Sequence, residues 1–259
     1  MKHAFRGKTC VITGAAGGIG RALALQLAQY GANLALSDID VDQLDETTQD
    51  ARNLGAVVHC THLDMADHAS VYQYAKTVEA LFGSVHHLYN NAGITGAGEL
   101  NEMSDELIQR VIDINLLGVL HGSRAFLPSL EKSGEGKLVN ISSLNGFAAM
   151  PGLPIYCATK FAVRGLTEAL RADALLHDRT VQIICVHPGG VRTNIASANV
   201  DESPNTPPEV QTLRDRQLDF YENKLLTYPA HKAAQDILRG VARSKSRIIV
   251  TRQAKLLDK

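Results

Sequence analysis

Thr9-Cys10-Val11-Ile12-Thr13-Gly14-Ala15-Ala16-Gly17-Gly18-Ile19-Gly20 decides how this chain is read. The first five residues form a short, β-branched run of the kind that makes a strand. Glycines then crowd positions 14, 17, 18 and 20, and Leu23 and Leu27 follow at helical spacing. Glycine lets a backbone turn tightly and approach a bulky anion, and the N-terminus of the helix behind it favours negative charge. A glycine-rich turn alone is weak evidence. Between a strand and a helix it has the context needed to hold the pyrophosphate of a dinucleotide. Gly14, Ala16, Gly17, Gly18, Ile19 and Gly20 are therefore candidate cofactor-binding residues.

Outward from this turn the pattern alternates. Strands are expected over 33–37, 57–59, 87–89, 137–141, 181–186 and 248–250, with helices over 20–30, 41–54, 68–82, 104–130, 156–177 and 230–243. Strand alternating with helix implies an α/β fold: a Rossmann-like doubly wound parallel sheet of about seven strands with helices on both faces. No linker, repeat or composition shift divides residues 1–259, which read as one domain. Two segments break the rhythm. Residues 142–155 form an apolar loop, and 195–228 open on a proline-rich stretch and read as a substrate-binding lid.

Bulk properties exclude several function classes. A formal charge of -1 gives no electrostatic reason to bind nucleic acid or an anionic membrane surface. No apolar run is long enough for a secretion signal or a membrane span, so a cytoplasmic location is expected. Cys10, Cys60, Cys157 and Cys185 lie far apart, and Cys10 and Cys185 fall within apolar runs where cysteine acts as a small buried hydrophobe. The ten histidines show no metal-ligand spacing, so no metal site is expected.

Asp38 ends the second expected strand. A carboxylate there can accept from the adenosine 2′-hydroxyl of NAD and would repel the 2′-phosphate of NADP. Asp40 is better placed to cap the helix that follows, which leaves Asp38 for the ribose, with Ile39 beside it. NAD is thus favoured over NADP. Further along, Tyr156 and Lys160 are one helical turn apart and share a face. A tyrosine with a pKa near ~10 is a poor acid or base at neutral pH, and a fixed cation beside it is expected to lower that value. Such a pair can move a proton at an alcohol oxygen, while the hydride needs a carrier.

On these residues the chain resembles the short-chain dehydrogenase/reductase family over nearly its whole length. Thr13-Gly14 and Gly18-Ile19-Gly20 are similar to the family's cofactor turn, Asn90-Asn91-Ala92-Gly93 to its motif after the fourth strand, and Pro188-Gly189-Gly190-Val191-Arg192-Thr193 to its PGxVxT segment. The resemblance implies that Asp64, between Leu63 and Met65, contacts the adenine. It implies that Asn91, Ala92 and Gly93 shape the adenosine side, and that Thr193, with Pro188, Gly189 and Val191, holds the nicotinamide carboxamide. It makes Asn115, Ser143, Tyr156 and Lys160 the catalytic set. Thirteen residues from the tyrosine is the family's usual spacing, which selects Ser143 over Ser142. Tyr156 and Lys160 then also touch the cofactor, Lys160 through the nicotinamide ribose, and Asn115 positions a water that links Lys160 to solvent.

The expected reaction is reversible hydride transfer between NAD and a secondary alcohol or ketone. Ser143, Leu144, Met150, Gly189 and Ile195 are candidate substrate-pocket residues, and their largely apolar character suggests a lipophilic small molecule. Helices 104–130 and 156–177 are apolar on more than one face, and the family associates through them, so a homo-oligomer, dimer or tetramer, is expected. Two rivals stand beside this reading: an NADPH-dependent 3-oxoacyl-thioester reductase, and a dinucleotide-binding sensor without turnover.

Overall fold

A computed structural model of the chain describes residues 1–193, 195, 226–251 and 254. Its strands are β1 (Thr9–Thr13), β2 (Asn33–Asp38), β3 (Val58–His62), β4 (His87–Asn90), β5 (Lys137–Ile141), β6 (Gln182–Pro188), β7 (Val191–Arg192), β8 (Tyr228–Pro229) and β9 (Arg247–Val250). Seven of them make one parallel sheet in the order β3-β2-β1-β4-β5-β6-β9. The chain winds outward from β1 to β3, returns to β4 on the other side of β1, and winds outward again. That reversal leaves a crevice at the carboxyl ends of β1 and β4, where α/β sheets of this kind bind ligands.

The helices are α1 (Gly18–Gln29), α2 (Val41–Asn53), α3 (His68–Phe82), α4 (Asp105–Ile112), a π turn over Asp113–Leu117, α5 (Gly118–Lys132), α6 (Pro154–Leu176) and α7 (Ala230–Ala242). Each strand buries alternate residues on opposite faces. Cys10 and Ile12 pack with Leu23 and Leu27 of α1, Leu44 of α2 and Ile237 of α7. Val11, between them, packs with Val71 and Tyr74 of α3 and with Phe126 and Leu130 of α5. A sheet covered on both faces explains why its strands read as unbroken apolar runs. Asp40, Asp67 and Ser104 begin α2, α3 and α4, each accepting a hydrogen bond from a backbone N–H of the first turn.

The doubly wound seven-stranded sheet is as the sequence predicts. The expected helix 104–130 is instead α4 and α5 joined by the π turn. α6 starts at Pro154, where a missing N–H costs nothing, slightly before the expected residue 156. β3 runs on to His62, beyond the expected 57–59. The parallel pair β7 and β8 was not foreseen, because two residues carry no periodicity. It draws together the flanks of the segment expected to be a lid. Of that segment, 196–225 lies outside the described residues. Among the described residues, no helix is long and apolar enough to cross a membrane.

Candidate active site

The glycine turn closes against the end of β4. Gly14 and Gly18 have φ of +67° and +53°, the left-handed region that other residues avoid. A Cβ on Gly14 would stand 2.8 Å from the Ala92 Cα, and one on Gly20 would collide with the Gly14 carbonyl. Asn91 ties the contact from the other side: its Nδ2 donates to the carbonyls of Thr13 (3.0 Å) and Gly14 (2.9 Å). The Thr13 Oγ1 accepts from the backbone N–H groups of Asn91 and Ala92, at 3.1 Å each. Asn90 turns inward, where its Nδ2 donates to Asn140 Oδ1 (2.9 Å) and Ser123 Oγ (3.1 Å), binding β4 to β5 and α5. The two adjacent asparagines thus have different structural tasks.

Asp38 stands against this turn. Its Oδ2 accepts from the Ala16 N–H at 2.8 Å and its Oδ1 from the Asp40 N–H at 3.1 Å, and both oxygens keep capacity for a further donor. Asp40 caps α2, as expected, and Ile39 is exposed. Asp64 follows β3 between the buried Leu63 and Met65. Partial burial alone would raise its carboxyl, but hydrogen bonds from Arg110 (2.8 Å) and the Ala66 N–H (2.9 Å) outweigh that and hold it below the ordinary carboxylate range.

These residues fit a dinucleotide. α1 has no side-chain cap, and the space beside Gly17 at its N-terminus is open. Thr193 reaches the same turn from the far side: its methyl carbon would lie 2.9 Å from a Cβ on Gly18. Val191 is buried behind it, and Gly189 follows Pro188 with no room for a side chain because Thr251 fills the place.

Tyr156 and Lys160 project from the first turns of α6 and are both buried. The Lys160 Nζ lies 5.5 Å from the Tyr156 ring centroid and donates to the Ile141 carbonyl at 3.2 Å. A Cβ on Gly93 would stand 3.2 Å from Asn115 Oδ1 and 3.3 Å from Lys160 Nζ, so a side chain there would crowd both. Asn115 lies in the π turn with no exposed surface. Its Oδ1 accepts from the Ile94 N–H and its Nδ2 donates to the Ile94 carbonyl, both at 2.8 Å. Ser143 follows β5 and begins a short 3-10 turn, its Oγ accepting from the Asn145 N–H at 3.1 Å. Ser142 is buried and donates to the Lys160 carbonyl at 2.8 Å, which makes it a strut under α6.

The electrostatics differ from the expectation in one respect. Burial pulls the Lys160 ammonium down to about 8. Burial also holds the Tyr156 phenol above its ordinary value, with a hydrogen bond from Ser143 offsetting part of the rise. The expected lowering by a neighbouring cation is absent because desolvation dominates and Nζ is directed at a carbonyl.

Of the residues expected to line a substrate pocket, Leu144 is half-buried, the Met150 N–H donates to Cys157 Sγ (3.4 Å), and the Ile195 carbonyl accepts from Thr95 Oγ1 (3.0 Å). Thr95 and Cys157 were missed by sequence reasoning. Each adjoins a motif (Thr95 two residues past Gly93, Cys157 beside Tyr156), and that adjacency was the only signal.

Residues 8–204 match the family model described as short chain dehydrogenase. SadH of Mycobacterium tuberculosis, which carries the name of an oxidoreductase, is 45% identical over 255 residues, covering 98% of this chain and 90% of that one. Human estradiol 17-beta-dehydrogenase 11 is 33% identical over 226 residues, 86% of this chain and 75% of its own. A short chain dehydrogenase/reductase from Burkholderia phymatum, solved in complex with NAD, has a TM-score of 0.90 at 33% identity, covering 98% of this chain and 92% of that one. An alcohol dehydrogenase from Thermococcus sibiricus, complexed with 5-hydroxy-NADP, has a TM-score of 0.76 at 29% identity and covers 94% of each chain. Likeness of this extent, in sequence and in backbone, makes the chain a member of the short-chain dehydrogenase family.

Proposed function

We propose that the chain is an NAD-dependent oxidoreductase acting on a lipophilic secondary alcohol or the corresponding ketone. The observation that carries this reading is the buried Tyr156 with Lys160 one turn away and Ser143 working against the rise that burial imposes on the phenol, beside a glycine turn open to a pyrophosphate. When bound, the dinucleotide supplies the hydride acceptor or donor. Gly14 to Gly20 and the first turn of α1 hold its pyrophosphate, Asp38 its adenosine ribose, Asp64 its adenine and Thr193 its carboxamide. Tyr156 transfers the proton at the substrate oxygen, while Ser143 donates to that oxygen and fixes its place. Lys160 holds the nicotinamide ribose, and Asn115 completes the path by which its proton exchanges with water. A phenol held above its ordinary pKa is a proton donor at neutral pH, which suits carbonyl reduction. Alcohol oxidation needs the phenolate and should quicken as pH rises.

Asp38 favours NAD, since its carboxylate would repel a 2′-phosphate. Leu144, Met150 and Ile195 favour an apolar substrate, and the human relative's name points to the same class of secondary alcohol. Phe161, exposed on α6, supports association with further copies through that helix.

The test is absorbance at 340 nm with secondary alcohols, sterols and hydroxyacyl thioesters, NAD and NADP in parallel. Turnover with NAD on an apolar alcohol is expected, and Tyr156→Phe should lose about 10²- to 10⁴-fold in rate while still binding NAD. Preference for NADP with thioesters would replace this reading with the reductase. NAD binding with no turnover would replace it with the sensor.

A further inference from the structure

We infer that His187, the penultimate residue of β6, is the positioning residue that sets Ser143 for its work on the substrate oxygen. The inference rests on the catalytic reading of Ser143 given above.

Two contacts, from different parts of the ring, place His187 under the serine. Its Nδ1 is 3.0 Å from the Ser143 carbonyl oxygen. A carbonyl can only accept, so Nδ1 carries the proton and donates. The imidazole and the Phe147 ring meet in an edge-to-face arrangement, with centroids 5.2 Å apart and planes at 66°. The Arg247 guanidinium of β9 lies 5.4 Å from the centroid of the same Phe147 ring. One side chain therefore grips the start and the end of the 143–147 turn. Arg247 closes the grip from the neighbouring strand.

This grip supplies what the serine's own surroundings lack. Ser143 sits where β5 ends, so the sheet no longer holds it in register; its neighbour Ser142 makes the last ladder-like bond, its N–H to the Val186 carbonyl at 2.8 Å. Past that point the Ser143 Oγ has only the Asn145 N–H within its own turn. The fully buried His187 links the Ser143 backbone to the rigid central sheet. Its place two residues before Gly189 also joins the catalytic turn to the segment bearing Thr193. An error of an ångström in a catalytic group costs on the order of 10²-fold in rate, so a rigid anchor at this carbonyl matters.

Three variants separate positioning from packing. His187→Leu removes the donor, and His187→Asn keeps an amide N–H near the place of Nδ1 while losing the ring. Ser143→Ala removes the hydroxyl itself. The first readout needs no substrate: the ¹³Cζ resonance of Tyr156 in tyrosine-labelled protein, assigned by its loss in Tyr156→Phe, reports the Ser143 hydrogen bond to the phenol. It should move in Ser143→Ala, move the same way in His187→Leu, and return toward the native position in His187→Asn. The second readout is kcat on the best alcohol of the panel with NAD. His187→Leu should lose roughly ten- to a hundredfold with native serine and under about threefold when Ser143→Ala is already present, because the two act as one unit. A shift in Ser143→Ala but none in His187→Leu would overturn the proposal alone, as would equal rate losses in both backgrounds. No shift in Ser143→Ala would overturn the catalytic reading of the serine and the proposal with it. Should His187→Leu fail to fold, His187→Asn decides: a native Tyr156 resonance supports the proposal, and the Ser143→Ala position overturns it.

Discussion

Lys160 carries a cost to stability that its neighbours do not relieve. Its only hydrogen-bond acceptor among the described residues is the Ile141 carbonyl, and burial brings its pKa down to about 8 from 10.5. Below pH 8 both the folded and the unfolded chain hold the proton. Between pH 8 and 10.5 only the unfolded chain does, so stability rises with pH across that window, by about 3 kcal/mol. Lys160→Met removes this titration. The variant is expected to be more stable than the parent near pH 7 and to lose that advantage by pH 10.5, as urea midpoints measured without dinucleotide would show. A constant difference across the range would mean that the folded protein leaves the ammonium hydrated. A buried cation that weakens the fold near pH 7 accords with the chemical role proposed for Lys160.

At the scale of elements, the π turn is the feature that most directly shapes the site. It interrupts the helix at Asn115, whose side chain satisfies both the N–H and the carbonyl of Ile94. Asn115→Ala would leave both backbone groups without these partners in a buried place, at about 2–6 kcal/mol together. Chemical denaturation should show that loss even if turnover is never assayed. Asn115→Asp keeps the bond from the Ile94 N–H and should fall between the two. The sequence placed Asn115 in the middle of a long helix and could not place the break, because a π turn keeps the helical run of apolar residues intact. The glycine turn, the β-branched strands and the Tyr156–Lys160 spacing were legible because each is a local pattern with a local cause. The Tyr156 phenol was misjudged for the opposite reason: its pKa depends on how much protein covers it, and covering is a tertiary quantity. The tie between Thr95 and Ile195 spans a hundred residues and was beyond any window.

Across the whole molecule, behaviour in acid should be governed by a histidine inside the sheet, His87. His87 of β4 is buried, touches Phe5 and shares a hydrogen bond with the Tyr89 hydroxyl at 3.1 Å. Burial, helped by the charges of Lys137, His86 and Lys8, brings its pKa down to about 3 from 6.5. Between those values the unfolded chain binds a proton that the folded chain refuses, so stability falls as pH drops from 6.5 to 3, by roughly 5 kcal/mol at most. His87→Asn should flatten that acid limb in a series of thermal melts. An unchanged limb would assign acid sensitivity to the carboxylates instead. The sheet order has a further consequence, in time. β1 is an interior strand and its two edges are filled by β2 and β4, with Cys10 opposite both Leu34 and His87. All seven strands are parallel, so no hairpin can nucleate the sheet, and each pairing waits for a crossover to be made. While the chain is being synthesised, β1 must keep one apolar edge open until residues near 87 have emerged. During that interval the unpaired edge is open to pairing with other chains.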